Sequence, residues 1–412
     1  MICGLLGRTL GHSFSPLIHK NYGTYTYKLF EKEPEQLESF LKNGDFTGLN
    51  VTMPYKKDVI PFCNELSETA EKLGAVNTIV RRHDGTLIGH NTDFYGFRSM
   101  VETTGIDMFD KKVLVLGSGG ASATAVAVLK EFGCRVTVIS RSGQDNYENI
   151  SLHSDADVIV NTTPVGMYPN TGKSPVSLDI FNHLECVLDI VYNPARTQLL
   201  LDAEKRGIPC KNGLWMLVAQ AKEASEWFTG KKIEDKMVEK VYNLLRSQTE
   251  NIVLVGMPGS GKSTIGKLVA KQLGKEFVDA DDEIIRTAGM SIPEIFATKG
   301  EAGFRDIETT VLKDLGRRSG LVIATGGGCV TQERNYDLLH QNGTIYWIQR
   351  EINALPTEGR PLSQAGDLSK MYEARRPLYA RFADCIVTNS GTPEQAADKI
   401  TKGYTNDENS GN

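Results

Sequence analysis

NIVLVGMPGSGKST, residues 251–264, decides the fold of this chain. An apolar run, Ile252 to Val255, feeds a glycine-rich turn that opens into the helical pattern TIGKLVAKQLG. The spacing G-x-x-x-x-G-K-S sets Gly256, Gly261, Lys262 and Ser263 as a phosphate loop. Its glycines let successive N–H groups wrap phosphate oxygens, Lys262 reaches the β and γ oxygens, and Ser263 ligates Mg2+. Gly259, Ser260 and Thr264 complete the expected ATP cradle. Upstream, KVLVLGSGGAS, residues 112–122, has the same order of strand, glycine turn and helix. There Gly117, Ser118, Gly119, Gly120 and Ala121 would set backbone N–H groups and a helix N-terminus against a pyrophosphate, as a dinucleotide loop does. The next apolar run ends at Ser140-Arg141-Ser142. An NAD-selective site places an acid at that point, whereas an Arg suits a 2′-phosphate, so Arg141 favours NADP over NAD.

Short apolar runs (KVLVLG, RVTVIS, DVIVNT, CVLDIV, NIVLVG, TIYWIQ) alternate with helical patterns through most of the 412 residues. That alternation predicts an α/β chain with mainly parallel sheets, and the length predicts two or three domains. A hydrophobic content of 40%, a charged content of 24% and a net charge of −5 describe a globular protein with no electrostatic pull toward nucleic acid or anionic membrane. The seven cysteines are scattered without a CxxC pair, which favours reduced thiols in a cytoplasmic setting. Neither a signal peptide nor an apolar run of membrane-spanning length is expected. An amphipathic segment, Lys232 to Arg246, is expected to close one domain, and Ser247 to Glu250 to link it to the next.

The motifs flanking the first loop identify its substrate. GHSFSPLIH (from Gly11), GLNVTMPYK (from Gly48), GAVNT (from Gly74) and HNTD (from His90) precede it. NTTPVGM (from Asn161), DIVYNPARTQLL (from Asp189) and NGLWMLVAQA (from Asn212) follow it. Together they closely resemble shikimate dehydrogenase over about residues 1 to 246. The resemblance implies a two-lobed fold: residues 1–93 with 206–247 as the substrate lobe, and 94–205 as a Rossmann-like NADP domain. It implies Lys56 and Asp93 as the catalytic pair, with Lys56 protonating the developing alkoxide and Asp93 orienting it. It implies Ser13 and Ser15 at the substrate carboxylate, Asn50, Thr52, Asn77, Tyr192 and Gln220 around the ring, and Met216 against the nicotinamide. This sequence departs from the family at several points. Residues 20–47 are shorter than usual, which implies a trimmed helix and strand. Asp93 is followed by Phe94-Tyr95-Gly96 where a glycine commonly comes directly. Asp145 stands where a second basic residue often follows the NADP-binding Arg.

After the second loop come FVDADDEI with Asp279 and Asp281, SIPEIFATKGEAGFRDIE with Arg305, ATGGG ending at Gly328, TEGRPLS with Arg360 and EARRPLYARFAD with Arg375. This run closely resembles shikimate kinase over about residues 250 to 402. The resemblance implies a P-loop domain with a parallel sheet, residues 251–403, followed by a disordered tail, 404–412. It implies Arg305, Arg375 and the Gly327 backbone around the substrate carboxylate. Asp281 would bind the ring hydroxyls and accept the proton of the attacking one. Asp279 would join Ser263 in the magnesium shell, and Arg360 would meet the transferring phosphoryl from a lid. A further Arg directed toward ATP is common in the family; Arg350 is the candidate for it here.

The expectation is therefore a bifunctional enzyme that reduces 3-dehydroshikimate with NADPH and then phosphorylates shikimate with ATP and Mg2+. Two alternatives stand beside it. One is an NAD-linked quinate/shikimate dehydrogenase joined to a kinase for another hydroxylated acid. The other is a chain in which one half is a silent shikimate-sensing module.

Overall fold

The computed structural model describes residues 1–11, 13–354 and 368–407. Two compact units emerge from the chain. The first comprises Met1–Val165, Ser174–Tyr192 and Asp202–Tyr242; the second comprises Gly166–Lys173, Asn193–Leu201 and the chain from Asn243 onward.

The first unit holds two sheets. β1 (Ile2–Gly7), β2 (Thr26–Glu31), β3 (Gly48–Val51), β4 (Glu65–Leu66), β5 (Thr78–Arg81) and β6 (Leu87–His90) form a sheet in the order β2-β1-β3-β5-β6-β4. It is mixed: β1 runs parallel to β2 and β3, while β5 runs antiparallel to both of its neighbours, β3 and β6. The expectation of mainly parallel sheets misses this strand pair because His83-Asp84-Gly85 is a tight hairpin turn, closed by Arg82 N–H donating to Thr86 O at 2.9 Å. The shortened segment 20–47 retains both a strand, β2, and a helix, Leu37–Asn43, so the trimming removes length and leaves the elements. Leu37, Leu41 and Phe46 seat this segment in the core beneath the sheet.

The second sheet, β11-β10-β9-β7-β8, is wholly parallel, with β7 (Lys112–Leu116), β8 (Arg135–Ile139), β9 (Val158–Asn161), β10 (Cys186–Asp189) and β11 (Cys210–Lys211). The order reverses direction at β7, so the loop after β7 opens at the switch point, where such sheets bind ligands.

In the second unit β12 (Asn251–Val255), β13 (Glu276–Asp279), β14 (Leu321–Ala324), β15 (Gly343–Gln349) and β16 (Cys385–Thr388) form a parallel sheet in the order β13-β14-β12-β15-β16. β12 lies at its switch point, and Lys262–Leu273 is the helix that follows. β12 is completely buried, as both faces of a parallel sheet are when helices cover them.

Two boundaries differ from the sequence reading. The helix Lys236–Thr249 runs through most of the expected linker Ser247 to Glu250. The helix Pro393–Asp407 includes the first residues of the expected tail, because Tyr404 is buried and its hydroxyl donates to Ser247 O at 2.9 Å. Residues 408–412 lie outside the described residues. No helix among the described residues is long and apolar enough to cross a membrane.

Candidate active sites

In the first unit, Lys56 leaves the turn after β3 and Asp93 opens the helix Asp93–Glu102. Lys56 Nζ lies 2.5 Å from Asp93 Oδ2, with side chains 31% and 17% exposed. A partly exposed ammonium and carboxylate at this range can share the handling of one proton. Two neighbouring backbone bonds fix the pair: Val76 N–H donates to Lys56 O at 2.8 Å, and Thr92 N–H donates to Asn77 Oδ1 at 2.7 Å.

A chain of buried polar side chains joins the predicted substrate ligands. Asn50 Nδ2 donates to Thr78 Oγ1 at 3.3 Å. Thr78 Oγ1 donates to Asn77 Oδ1 at 3.1 Å, and Thr92 Oγ1 reaches Gln220 Oε1 at 3.3 Å. Ser15 N–H donates to Ser13 Oγ at 3.2 Å, so both hydroxyls sit at the start of the helix Ser15–Tyr22. The Tyr192 ring centroid is 6.0 Å from that of Phe14, between the two serines. Thr52 is placed by its N–H on Leu6 O at 2.9 Å. Met216 lies partly buried against the core that includes Val113 and Val115 of β7.

Gln220 and Met216 ride on the helix Leu214–Thr229, which packs on Asp93–Glu102. Gly96 permits that approach: a Cβ there would meet Met216 O at 2.6 Å and Gln220 Cβ at 2.9 Å. Gly96 thus stands where the two helices cross. Gly96→Ala is expected to cost about 1–3 kcal/mol through overpacking. Thermal unfolding of the variant would check it, and an unchanged Tm would contradict the packing argument.

Two residues escaped the sequence reading. The Tyr27 phenol donates to Asn50 Oδ1 at 2.8 Å, and the Ser15 hydroxyl also bonds to it. Burial, reinforced by Tyr25, pushes this phenol well above its usual range, so it remains a neutral donor. His19 stacks on the Tyr27 ring at 4.1 Å between centroids, and burial pushes its pKa down to about 3. With Tyr27 on its Oδ1 and Thr78 on one Nδ2 hydrogen, the Asn50 amide is held in one orientation, which leaves its other Nδ2 hydrogen as a donor. Tyr27→Phe removes one hydrogen bond and is expected to raise KM for the keto acid roughly 3- to 10-fold. Steady-state kinetics would check it; kcat and KM for NADPH should hardly move. An aromatic residue in an exposed-looking strand carried no signal for this role.

The dinucleotide loop fits its expected ligand. Gly117 has φ +108, and a Cβ there would meet Thr162 Oγ1 at 2.9 Å. A Cβ at Gly119 or Gly120 would meet nothing within 4 Å, so the start of the helix Gly120–Glu131 faces open space. Ser118 is exposed and Ala121 partly so. Arg141 is exposed in the loop after β8.

In the second unit a cleft of about 610 Å³ is lined by Gly259, Gly261, Lys262, Ser263, Thr264, Asp279, Asp281, Arg305, Gly327, Arg350 and Arg375, among others. Ser260 is buried behind it. Lys262 is nearly buried, and its Nζ donates to Gly256 O at 2.9 Å and Met257 O at 3.0 Å. Ser263 Oγ donates to Asp279 Oδ2 at 2.6 Å. A hydroxyl and a carboxylate beside a phosphate loop suit Mg2+, which keeps several waters and takes few protein ligands. Asp279 also caps the helix Ala280–Ala288 by accepting from Asp281 N–H at 3.1 Å, which orients Asp281. Burial, and then the Asp279 charge, raise the Asp281 carboxyl above the ordinary range.

Arg305 is buried on the helix Ile292–Arg317, its Nη1 2.8 Å from Glu308 Oε2. Glu308 lines the cleft, is 1% exposed, and is pushed upward by burial even though Arg305 opposes it. Asp281 and Glu308 converge on Gly326, where a Cβ would lie 2.9 Å from an oxygen of each. Arg375 Nη1 donates to Gly327 O at 3.2 Å and Tyr379 OH to the same oxygen at 2.5 Å, which ties the glycine turn to the helix Leu368–Phe382. Glu308 and Tyr379 were not singled out from sequence; the three-residue spacing from Arg305 to Glu308 was the available signal. Arg350 Nη1 donates to Gly259 O at 3.3 Å, so this candidate does touch the phosphate loop. Arg360 lies outside the described residues.

These two sites define a class: a dinucleotide-linked oxidoreductase unit joined in one chain to a P-loop phosphotransferase unit. The family model "shikimate dehydrogenase substrate binding domain" matches residues 5–79, and that of shikimate kinase matches residues 258–405. The shikimate dehydrogenase (NADP(+)) of Clostridium beijerinckii is 35% identical over 266 residues, covering 60% of this chain and 98% of the relative. That of Caldicellulosiruptor bescii is 37% identical, covering 54% and 88%. Among solved structures, shikimate dehydrogenase 1 from Peptoclostridium difficile matches with a TM-score of 0.55 and 37% identity, covering 60% of this chain and 97% of that one. The shikimate 5-dehydrogenase of Thermus thermophilus, in complex with NADP(H) and shikimate, matches with a TM-score of 0.55 and 29% identity, covering 59% and 99%. The chain belongs to the shikimate dehydrogenase family over its N-terminal part and carries a shikimate kinase domain in its C-terminal part.

Proposed function

We infer that the chain is a bifunctional shikimate-pathway enzyme that reduces 3-dehydroshikimate to shikimate with NADPH, then phosphorylates shikimate to shikimate 3-phosphate. For reduction the supporting observation is the 2.5 Å contact between Lys56 and Asp93, joined through backbone to the Asn50–Asn77–Gln220 network. For phosphorylation it is the cleft that gathers the phosphate loop, Asp281 and the guanidinium groups of Arg305, Arg350 and Arg375.

NADPH supplies the hydride. Ser13 and Ser15 hold the substrate carboxylate, while Asn50, Thr52, Asn77, Tyr192 and Gln220 fix the ring hydroxyls and carboxylate. Lys56 gives its proton to the carbonyl oxygen as charge develops there, and Asp93 orients the ammonium and binds the adjacent hydroxyl. Arg141 takes the 2′-phosphate, Met216 packs on the nicotinamide, and the amides from Gly117 to Ala121 take the pyrophosphate.

ATP would supply the phosphoryl group, and Ser263 and Asp279 are the residues that would hold a Mg2+ ion to offset its charge. Arg305, Arg375 and the Gly327 backbone hold the substrate carboxylate. The raised Asp281 carboxyl suits acceptance of the proton from the attacking hydroxyl. Lys262 and the amides from Gly259 to Thr264 fix the phosphates, and Arg360 and Arg350 add positive charge at the transferring group and the loop. The acidic balance of the chain points to small-molecule substrates over nucleic acid or anionic membrane partners, and its seven free cysteines suit the cytoplasm.

The experiment combines 3-dehydroshikimate, NADPH, ATP and Mg2+ in one tube and follows both NADPH absorbance and shikimate 3-phosphate. Both reactions should proceed, each failing without its own cosubstrate. Phosphate ester formed only from added shikimate, with NADPH untouched, would overturn the dehydrogenase half.

A further inference from the structure

Arg141 and Asp145 share one tight turn after β8. Ser140 N–H donates to Asp145 O at 3.2 Å, and Gly143 N–H faces Ser140 O at 3.5 Å. A carboxylate this near a cofactor-binding guanidinium has two harmful options. It can pair with the guanidinium, or it can repel the phosphate that the guanidinium receives. The first arrangement is not the one observed. Among the described residues Arg141 makes no salt bridge, and Asp145 Oδ1 is engaged 2.8 Å from His153 Nε2. Since a carboxylate only accepts, Nε2 carries the hydrogen.

His153 ends the short helix Ile150–His153 and is only 16% exposed at its side chain, so the ring has little freedom to leave. The intervening turn is stiffened by the Asn146–Asn149 pair: Asn146 N–H donates to Asn149 Oδ1 at 2.8 Å, and Asn149 Nδ2 to Gln144 O at 2.9 Å. Arg141 acts instead on the Tyr147 phenol, whose upward shift through burial it opposes.

We propose that His153 is a cofactor-selectivity residue: by holding the Asp145 carboxylate in its own hydrogen bond, it keeps Arg141 available for the 2′-phosphate of NADPH. His153 is a positioning residue and acts through Asp145. The inference rests on the reading of Arg141 as the 2′-phosphate ligand. It also accounts for an acid at a place where a cation would be expected.

The test measures, in the full chain, the Kd of NADPH and of NADH by fluorescence titration without substrate, and KM for each at saturating 3-dehydroshikimate. His153→Ala should raise KM for NADPH by roughly 5- to 10-fold, the scale of one added like-charge interaction, and leave KM for NADH within twofold. Adding Asp145→Asn to His153→Ala should restore the NADPH value, because the harmful charge is then gone. Unchanged selectivity in His153→Ala overturns the proposal, as does failure of the double variant to restore it, which would mean general damage to the loop. The Arg141→Ala variant separates the two levels. If it leaves NADPH selectivity intact, the reading of Arg141 is wrong; if it removes selectivity while His153→Ala does nothing, only the role of His153 is wrong. An unchanged kcat with NADH in the same preparations reports that the dehydrogenase unit is folded.

Discussion

Replacing Lys56 by Ala is expected to lower kcat for reduction about a thousandfold, within the range of general acid catalysis, while phosphorylation of added shikimate continues unchanged. Lys56 sits a hydrogen bond from Asp93, and these two groups come from separate elements anchored in one sheet. Removing the side chain therefore leaves the backbone and the other substrate ligands in place. The loss falls on the proton that must reach the carbonyl oxygen, and the Asp93 carboxylate, left without its cation, faces the charge that develops there. KM for NADPH should stay within about twofold, since the hydride donor binds the separate loop after β7. The Lys56 side chain is a third exposed, so the fold should tolerate its loss with little change in Tm. Stopped-flow loss of NADPH absorbance and a parallel kinase assay would decide the matter. A kcat within tenfold of the parent would remove Lys56 from the proton path.

How far the chain could be read from sequence differs between its parts for physical reasons. Phosphate loops are legible because backbone geometry dictates glycine, Lys and Ser at fixed spacing; the positions after β7 and β12 follow directly from that. Residues that meet only in three dimensions are not. Tyr27 approaches Asn50 across the sheet, from a strand whose alternation of exposed and half-buried positions says nothing about a phenol at its tip. Glu308 lies one turn from Arg305 and reads equally well as a surface helix acid. The pairing of His153 with Asp145 depends on how an irregular loop returns on itself, and no periodicity encodes that. The shortened segment 20–47 illustrates the opposite limit: missing length was visible, but retention of its helix follows from the burial of Leu37 and Leu41, and retention of its strand from the pairing of β2 with β1.

Lys262→Ala is expected to produce the converse phenotype, a loss of phosphorylation of roughly a hundred- to a thousandfold in kcat, the scale seen when one donor to developing charge is removed. Lys262 is the first residue of the helix Lys262–Leu273 and is 8% exposed, with its ammonium held over the loop by two carbonyls. That placement aims a nearly desolvated positive charge at the phosphates, where the surrounding protein screens it less than water would. Alanine keeps the helix and its first-turn amides, so ATP can still dock on the loop, but the charge transferred with the phosphoryl group is no longer offset. KM for ATP should rise less than kcat falls, because most of the contact energy of Lys262 is realised as the β–γ bond breaks. Reduction of 3-dehydroshikimate should be unaffected, since Lys56, Asp93 and their supporting network belong to a unit with its own sheets and cores. Simultaneous loss of both reactions in a folded Lys262→Ala protein would mean that the two units are energetically coupled. Loss of one reaction only would establish that each unit carries its chemistry by itself and that fusion has left the two active sites independent.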